Sequence, residues 1–188
     1  MKTKHFLCIL LAAVLMCALA ACNSDSASNL TGTPEEILEK LVGDAKTAVE
    51  AAGGFYYISM ASEVTADTSL GVIGFSSANF DKYVTAASCS KAGIGSQAYE
   101  IILIQCKDAK AAKEVKKLVK RAPDETDGGY NSMKWICVWP EKCAVVESGS
   151  YVLVAASLNN IVDAALDVFR DMAGSVGEID VFYEHIEE

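Results

Sequence analysis

Seven cysteines and two histidines are the residues of this chain with the most chemistry to offer, and their spacing decides how much of it is usable. Cys22 ends the run Leu19-Ala20-Ala21-Cys22, where small residues behind an apolar stretch suit cleavage just ahead of the thiol. Cys8 and Cys17 lie inside that stretch, which leaves Cys89, Cys106, Cys137 and Cys143 further on. An even set in an exported chain suits disulfides, and four cysteines allow three pairings. Cys137 with Cys143, nearest in sequence, is the first choice; isolated buried thiols are the alternative. A Cys-His or Ser-His-acid relay needs a base within hydrogen-bond reach of its nucleophile. Beyond residue 22 the one histidine is His185, in an acidic tail where a solvated side chain is the ordinary state. His185 does not complete a zinc site either, because the Cys137 to Cys143 spacing is wrong for a paired knuckle. Gly93-Ile94-Gly95 falls between strand-like runs rather than ahead of a helix, so it makes neither a P-loop nor a dinucleotide fingerprint. The sequence therefore predicts no metal, no cofactor and no recognisable catalytic set.

Surface chemistry remains. Two carboxylates flanking a cleft suffice in principle to cleave a glycosidic bond, but Asp163, Asp167 and Asp171 recur every fourth residue, which most simply makes a solvated helix face. Lys110, Lys113, Lys117, Lys120 and Arg121 form a basic stripe opposite Val115, Leu118 and Val119. Such a stripe can touch anionic headgroups or cell-wall polyanions at about 1 kcal/mol per contact, or stand solvated opposite the acidic helix face. Tyr130, Trp135 and Trp139 bring both tryptophans together beside Met133, Ile136 and Val138. Exposed, they would stack on sugars or anchor a protein partner; beside a strand, they would be core.

The elements that carry these residues begin with Lys2, Lys4 and the apolar run from Phe6 to Ala18, an export signal over residues 1–21. The run is shorter than the roughly 20 apolar residues a spanning helix needs. Over Leu19-Ala20-Ala21-Cys22 the chain resembles bacterial lipoproteins. That resemblance implies a diacylglyceryl thioether on Cys22, often with a further acyl chain on its amine, a lipid bilayer as partner and a place on the outer face of the cell membrane. At about 0.8 kcal/mol per buried methylene, one chain holds weakly and two or three hold nearly permanently. The 16 basic and 25 acidic residues give a net charge of -9, and loss of residues 1–21 removes two lysines and no acid, which disfavours nucleic acid as a partner.

Residues 22–33 are small and polar and read as a flexible tether. Thr33-Pro34-Glu35-Glu36 supplies an N-cap, a proline at the first helical position and a capping-box glutamate, and an amphipathic helix follows to Gly53-Gly54. Phe55-Tyr56-Tyr57-Ile58 and Leu70-Gly71-Val72-Ile73 are short strands or irregular packing segments, and Asn79 to Tyr83 is a helical turn. Two strand-strand-helix units come next: Val84 to Lys91 and Gln97 to Cys106 before a helix from Asp108 to about Ala122, then Cys143 to Glu147 and Tyr151 to Ser157 before a helix from about Asn160 to Gly174. The expected architecture is a single α+β domain over residues 34–175, a four-stranded antiparallel sheet with two helices on one face and the leading helix beside it. Ile101 to Ile104 and Val152 to Ala156 are apolar at successive positions, so both sheet faces want cover; a face left bare would be open to a partner. Residues 176–188 form an acidic tail that adds an edge strand or frays.

This order of tether, leading helix, lysine-rich middle helix and closing Gly149-Ser150-Tyr151-Val152 hairpin resembles an uncharacterised lipoprotein domain widespread in Gram-positive anaerobes, over about Glu35 to Gly174. The turn in that family commonly reads Gly-Asn-Tyr, so Ser150 departs from it, and the stretch from Tyr130 to Cys143 diverges. The resemblance implies fold and location and transfers no catalytic residue. Three functions follow as expectations: a membrane-anchored binding or accessory module that meets an envelope protein or cell-wall polymer, a carboxylate-dependent hydrolase of envelope polymers, and a structural envelope protein without a ligand.

Overall fold

Thr33 starts the leading helix as its sequence demands: its hydroxyl accepts from the Glu36 amide while the Glu36 carboxylate accepts from the Thr33 amide at 2.9 Å. A cap of this kind contributes about 1 kcal/mol. In the computed structural model, residues 28–56, 61–92, 99–119 and 140–184 are described. Helix α1 (Pro34–Ala51) buries Ile37, Leu38, Leu41, Ala45 and Val49, the 3.6-residue stripe of an amphipathic helix. Strand β1 (Ala61–Glu63), the single turn α2 (Ser69–Val72) and α3 (Ser77–Tyr83) lead into β2 (Val84–Lys91) and β3 (Glu100–Cys106). Helix α4 (Ala109–Leu118), β4 (Lys142–Ser148), β5 (Tyr151–Ser157), α5 (Asn159–Ala173) and β6 (Asp180–Glu184) complete the order.

The sheet has six strands in the order β1-β2-β3-β5-β4-β6, every neighbouring pair antiparallel. The α+β class agrees with the sequence, but the expected four-stranded sheet is wrong. The two additions are edge strands: β1, of three residues, is too short for alternation to announce it, and β6 is the edge strand that the 176–188 tail offered as an alternative to fraying. Leu70 to Val72, one of the strand candidates, belongs instead to the helical turn α2.

The helices also do not share a face. Tyr99, Ile101, Leu103, Ala144, Val146, Leu153 and Ala155 pack beneath α1 and α5, while Ile102, Ile104, Cys143, Val145, Val152 and Val154 pack beneath α4 and the α2–α3 segment. The central strands β3 and β5 are apolar on both sides, so each face needs its own helical layer. The two strand-strand-helix units therefore repeat in order but not in space, since α4 turns to one face and α5 to the other. Both sheet faces are covered, and the bare face considered as a partner site is not present among the described residues.

Candidate functional site

Two glycines build the end of the sheet where the chain enters the domain. Gly149, at φ 54° in the β4–β5 turn, leaves the space a Cβ would fill 3.1 Å from Ser28. Gly174, at φ 73° as the C-cap of α5, does the same for the Asn29 side chain. Asn29 then donates its amide to the Ala173 carbonyl at 3.0 Å, and Leu30 is buried with the α1–α5 core. Part of the stretch read as tether is thus held on the domain. Asn29, Leu30 and Thr31 form one wall of a groove of about 580 Å³ between α1 and α5, lined also by Ile37, Lys40, Asp44, Val168, Asp171 and Met172. Its walls offer apolar surface with a carboxylate from each helix, and Asp44 is paired with Lys40.

The same end of the sheet carries a different surface on the opposite layer. Past Gly149, the Ser150 carbonyl accepts from the Cys106 amide at 2.7 Å, and the next residue, Lys107, donates its amide to Tyr83 at 2.9 Å. The Lys107 ammonium reaches the Asp81 carbonyl at 2.5 Å, and Lys82 lies 4.7 Å above the Tyr83 ring. That contact with Tyr83 holds the Lys82 ammonium above the usual lysine range. Asp108 caps α4 by accepting from Ala111 at 2.7 Å, which places exposed Lys110 at the start of the helix, with Lys113 and Lys117 along it. Glu114 sits among these lysines; the hydrogen bond and charge of Lys117 at 2.9 Å depress its pKa, and Lys110 and Lys82 add to the effect. Lys82 and Lys107 extend the stripe expected on α4, and they were missed because they lie outside the helix. Lys120 and Arg121 lie outside the described residues. The acidic face of α5 is exposed at Asp163, Asp167 and Asp171, but it lies across the sheet from α4, so the two stripes do not face each other.

Lys116 is the buried exception on α4. Its ammonium meets Glu147 Oε2 at 2.5 Å and Asp180 at 3.3 Å, and it donates to the Glu178 carbonyl. Glu147 Oε2 is buried without a hydrogen bond of good angle, so the lysine charge is what balances it. The cluster ties α4, β4 and β6 together.

Cys89, Cys106 and Cys143 are free and buried. Burial, with Glu100 adding to it, raises the Cys89 thiol well above the usual range, and burial pushes Cys106 and Cys143 up to about 12. Thiols held protonated in this way are poor nucleophiles. On the other face Tyr56, Tyr99 and Ser90 join hydroxyls at 3.3 and 3.1 Å, and burial raises both phenols. Cys22, Cys137, Tyr130, Trp135, Trp139 and His185 all fall outside the described residues. Among the described residues no helix is long and apolar enough to cross a membrane, and no cluster of metal-ligating side chains occurs. Comparison of the chain with protein-family models, with curated proteins and with solved structures finds no match.

Proposed function

We propose that this protein is a lipid-anchored extracytoplasmic module that presents the α1–α5 groove to a ligand or partner in the cell envelope. The observation that carries the reading is the course of Asn29, Leu30 and Thr31: the residues that line the groove continue directly toward Cys22. Five residues lie between Cys22 and Ser28, a reach of at most about 22 Å. An acylated Cys22 would hold the groove within that distance of the bilayer, where envelope components are concentrated. Leu30, Ile37, Val168 and Met172 supply apolar contact and Lys40, Asp44 and Asp171 supply polar partners, the mixture expected of a binding site.

Replacing Cys22 by Ser should move the protein from the membrane fraction to the soluble fraction; retention without acylation overturns the anchor. A photo-crosslinking residue in place of Met172 should capture an envelope component, and Val168→Arg, which fills the groove with a charge, should abolish the adduct. Capture that is indifferent to Val168→Arg removes the groove from the reading. The hydrolase alternative is favoured by one feature, Asp44 and Asp171 bordering the same groove from two helices. Hydrolysis of wall polymer that disappears in Asp171→Asn would replace binding by catalysis.

A further inference from the structure

The end of the domain that receives the chain from Cys22 is divided by charge. On the groove side stand Glu35, Glu36 and Asp171, with Asp44 paired to Lys40; on the other stand Lys82, Lys107 and Lys110, all exposed. Contacts already described join the two: Ser28 packs on Gly149, the neighbouring Ser150 bonds to Cys106, and Lys107 and Tyr83 are paired beyond it. The nearby acids of the basic side are partly engaged. Asp108 caps α4, Glu114 pairs with Lys117, and Asp81 lies beside Lys107, which bonds its carbonyl.

We propose that Lys82, Lys107 and Lys110 form the surface that rests on anionic lipid headgroups and sets the orientation of the domain. The inference rests on the anchored reading above, which brings this end of the molecule to the bilayer through a link of at most about 22 Å. Charge complementarity then selects the side. With Glu114 paired to Lys117 and Asp108 capping α4, Lys82, Lys107 and Lys110 are drawn toward an anionic surface, whereas Glu35, Glu36 and Asp171 are repelled, so the domain tilts with α3 and the start of α4 down. The groove between α1 and α5 consequently faces away from the lipid and stays open. Each lysine close to an anionic surface strengthens attachment about fivefold, so three together give about a hundredfold. Lys117 begins two turns further along α4, about 10 Å away, where screening by salt removes most of the attraction.

The test uses the full acylated chain in vesicles of phosphatidylcholine with about one third phosphatidylglycerol, and in vesicles of phosphatidylcholine alone. Flotation first reports how much protein is bound, and amine acetylation followed by mass spectrometry then reports each lysine. Lys82, Lys107 and Lys110 should label several-fold more slowly on the anionic vesicles than on the neutral ones, with Lys46 and Lys117 unchanged, and the protection should vanish in high salt. Protein that does not float overturns the anchor and this inference with it. Protein that floats but labels equally on both vesicles leaves the anchor intact and overturns the lysine surface alone. Protection that requires added polyglycerol phosphate instead of anionic lipid assigns the surface to a wall polymer and equally overturns it. In the soluble Cys22→Ser protein, the triple substitution of Lys82, Lys107 and Lys110 by Gln should weaken low-salt binding to the anionic vesicles by tenfold or more, while leaving the thermal midpoint in place; an unchanged affinity counts against the proposal independently of anchoring.

Discussion

The two helical layers cover one sheet by different means. Helices α1 and α5, of 18 and 15 residues, bury Ile37, Leu38, Leu41, Ile161, Leu166 and Phe169, and between them carry eight acids against three bases. Helix α4 has 10 residues, buries Ala112, Val115 and Lys116, and carries four lysines against one glutamate. The first layer is a long apolar contact with a solvated acidic back. The second is short, includes a buried ion and concentrates positive charge. Apolar burial and positive charge are therefore concentrated on opposite faces of the sheet, and the groove borders the more apolar layer.

If that division is right, core truncations should be unequal. Phe169→Ala leaves a large cavity against α1 and β5 and is expected to destabilise by about 4 kcal/mol, against about 2 kcal/mol for Val115→Ala under α4. Urea unfolding of both variants measures this. Equal losses would erase the comparison.

Lys116 sharpens it, because in the second layer an ion does part of what apolar side chains do in the first. Removing the lysine strands Glu147, which has 17% of its side-chain surface exposed, and takes one contact from Asp180. Breaking a buried pair by deleting one partner is strongly destabilising, and partial exposure places Lys116→Met near the low end, about 3 kcal/mol. The amides of β6 should also exchange faster, since Lys116 holds Glu178 and Asp180 at the entry to that strand. A double change of Lys116 and Glu147 to Met and Leu should recover much of the loss, because replacing both charges removes the stranded one.

The lysine was legible in the sequence and was passed over. Ala112, Val115, Lys116 and Val119 follow the i, i+3, i+4, i+7 spacing of a buried face, so the helix itself points Lys116 inward with them. The stripe Lys110, Lys113, Lys117, Lys120 and Arg121 leaves it out without assigning it a place. Thr33-Pro34-Glu35-Glu36, the stripe on α1 and the two central hairpins are also legible, because capping and periodicity are local properties. β2 runs over Val84 to Lys91 and β5 over Tyr151 to Ser157 as their patterns suggest. The side of the sheet that each helix takes is not local. An apolar stripe on α4 fits either face of β3, and the choice depends on how much area α1 and α5 already occupy. The groove was illegible for the same reason: Ser28 and Asn29 are ordinary polar residues until Gly149 and Gly174, more than a hundred positions away, make room for them.

The thiols test the covered face of the second layer. Cys89, Cys106 and Cys143 belong to the α4 side of the core, and burial keeps them protonated. In a chain with Cys22 and Cys137 replaced by Ser and lacking residues 1–21, none should react with a thiol reagent at pH 8 within minutes, and all three should react in urea. A fast-reacting Cys143 would mean that α4 and β4 separate readily and that the second layer is looser than its packing implies.

The smallest effect separates the two layers by the kind of force acting on a carboxylate. Glu36 on α1 has its pKa lowered from 4.5 first by the Thr33 backbone amide and then by the Thr33 hydroxyl. Glu114 on α4 has its pKa lowered from 4.5 by the Lys117 hydrogen bond and charge, with further help from Lys110 and Lys82. In both, the folded value lies below the unfolded one, so the stabilisation is fully present above about 4.5 and is lost as pH falls through the lowered folded value. The response to salt should differ. A hydrogen bond to a backbone amide acts at contact and survives screening, whereas attraction of the Glu114 carboxylate to exposed lysines falls off within a Debye length of about 4 Å at 0.5 M salt. Carboxyl titration by NMR should therefore show the Glu114 pKa moving up toward its ordinary value on adding 0.5 M NaCl, with that of Glu36 nearly unmoved. Were Glu36 to move as far as Glu114, the cap on α1 would be electrostatic in the same sense as the lysine cluster, and the contrast between the layers would not extend to their surfaces.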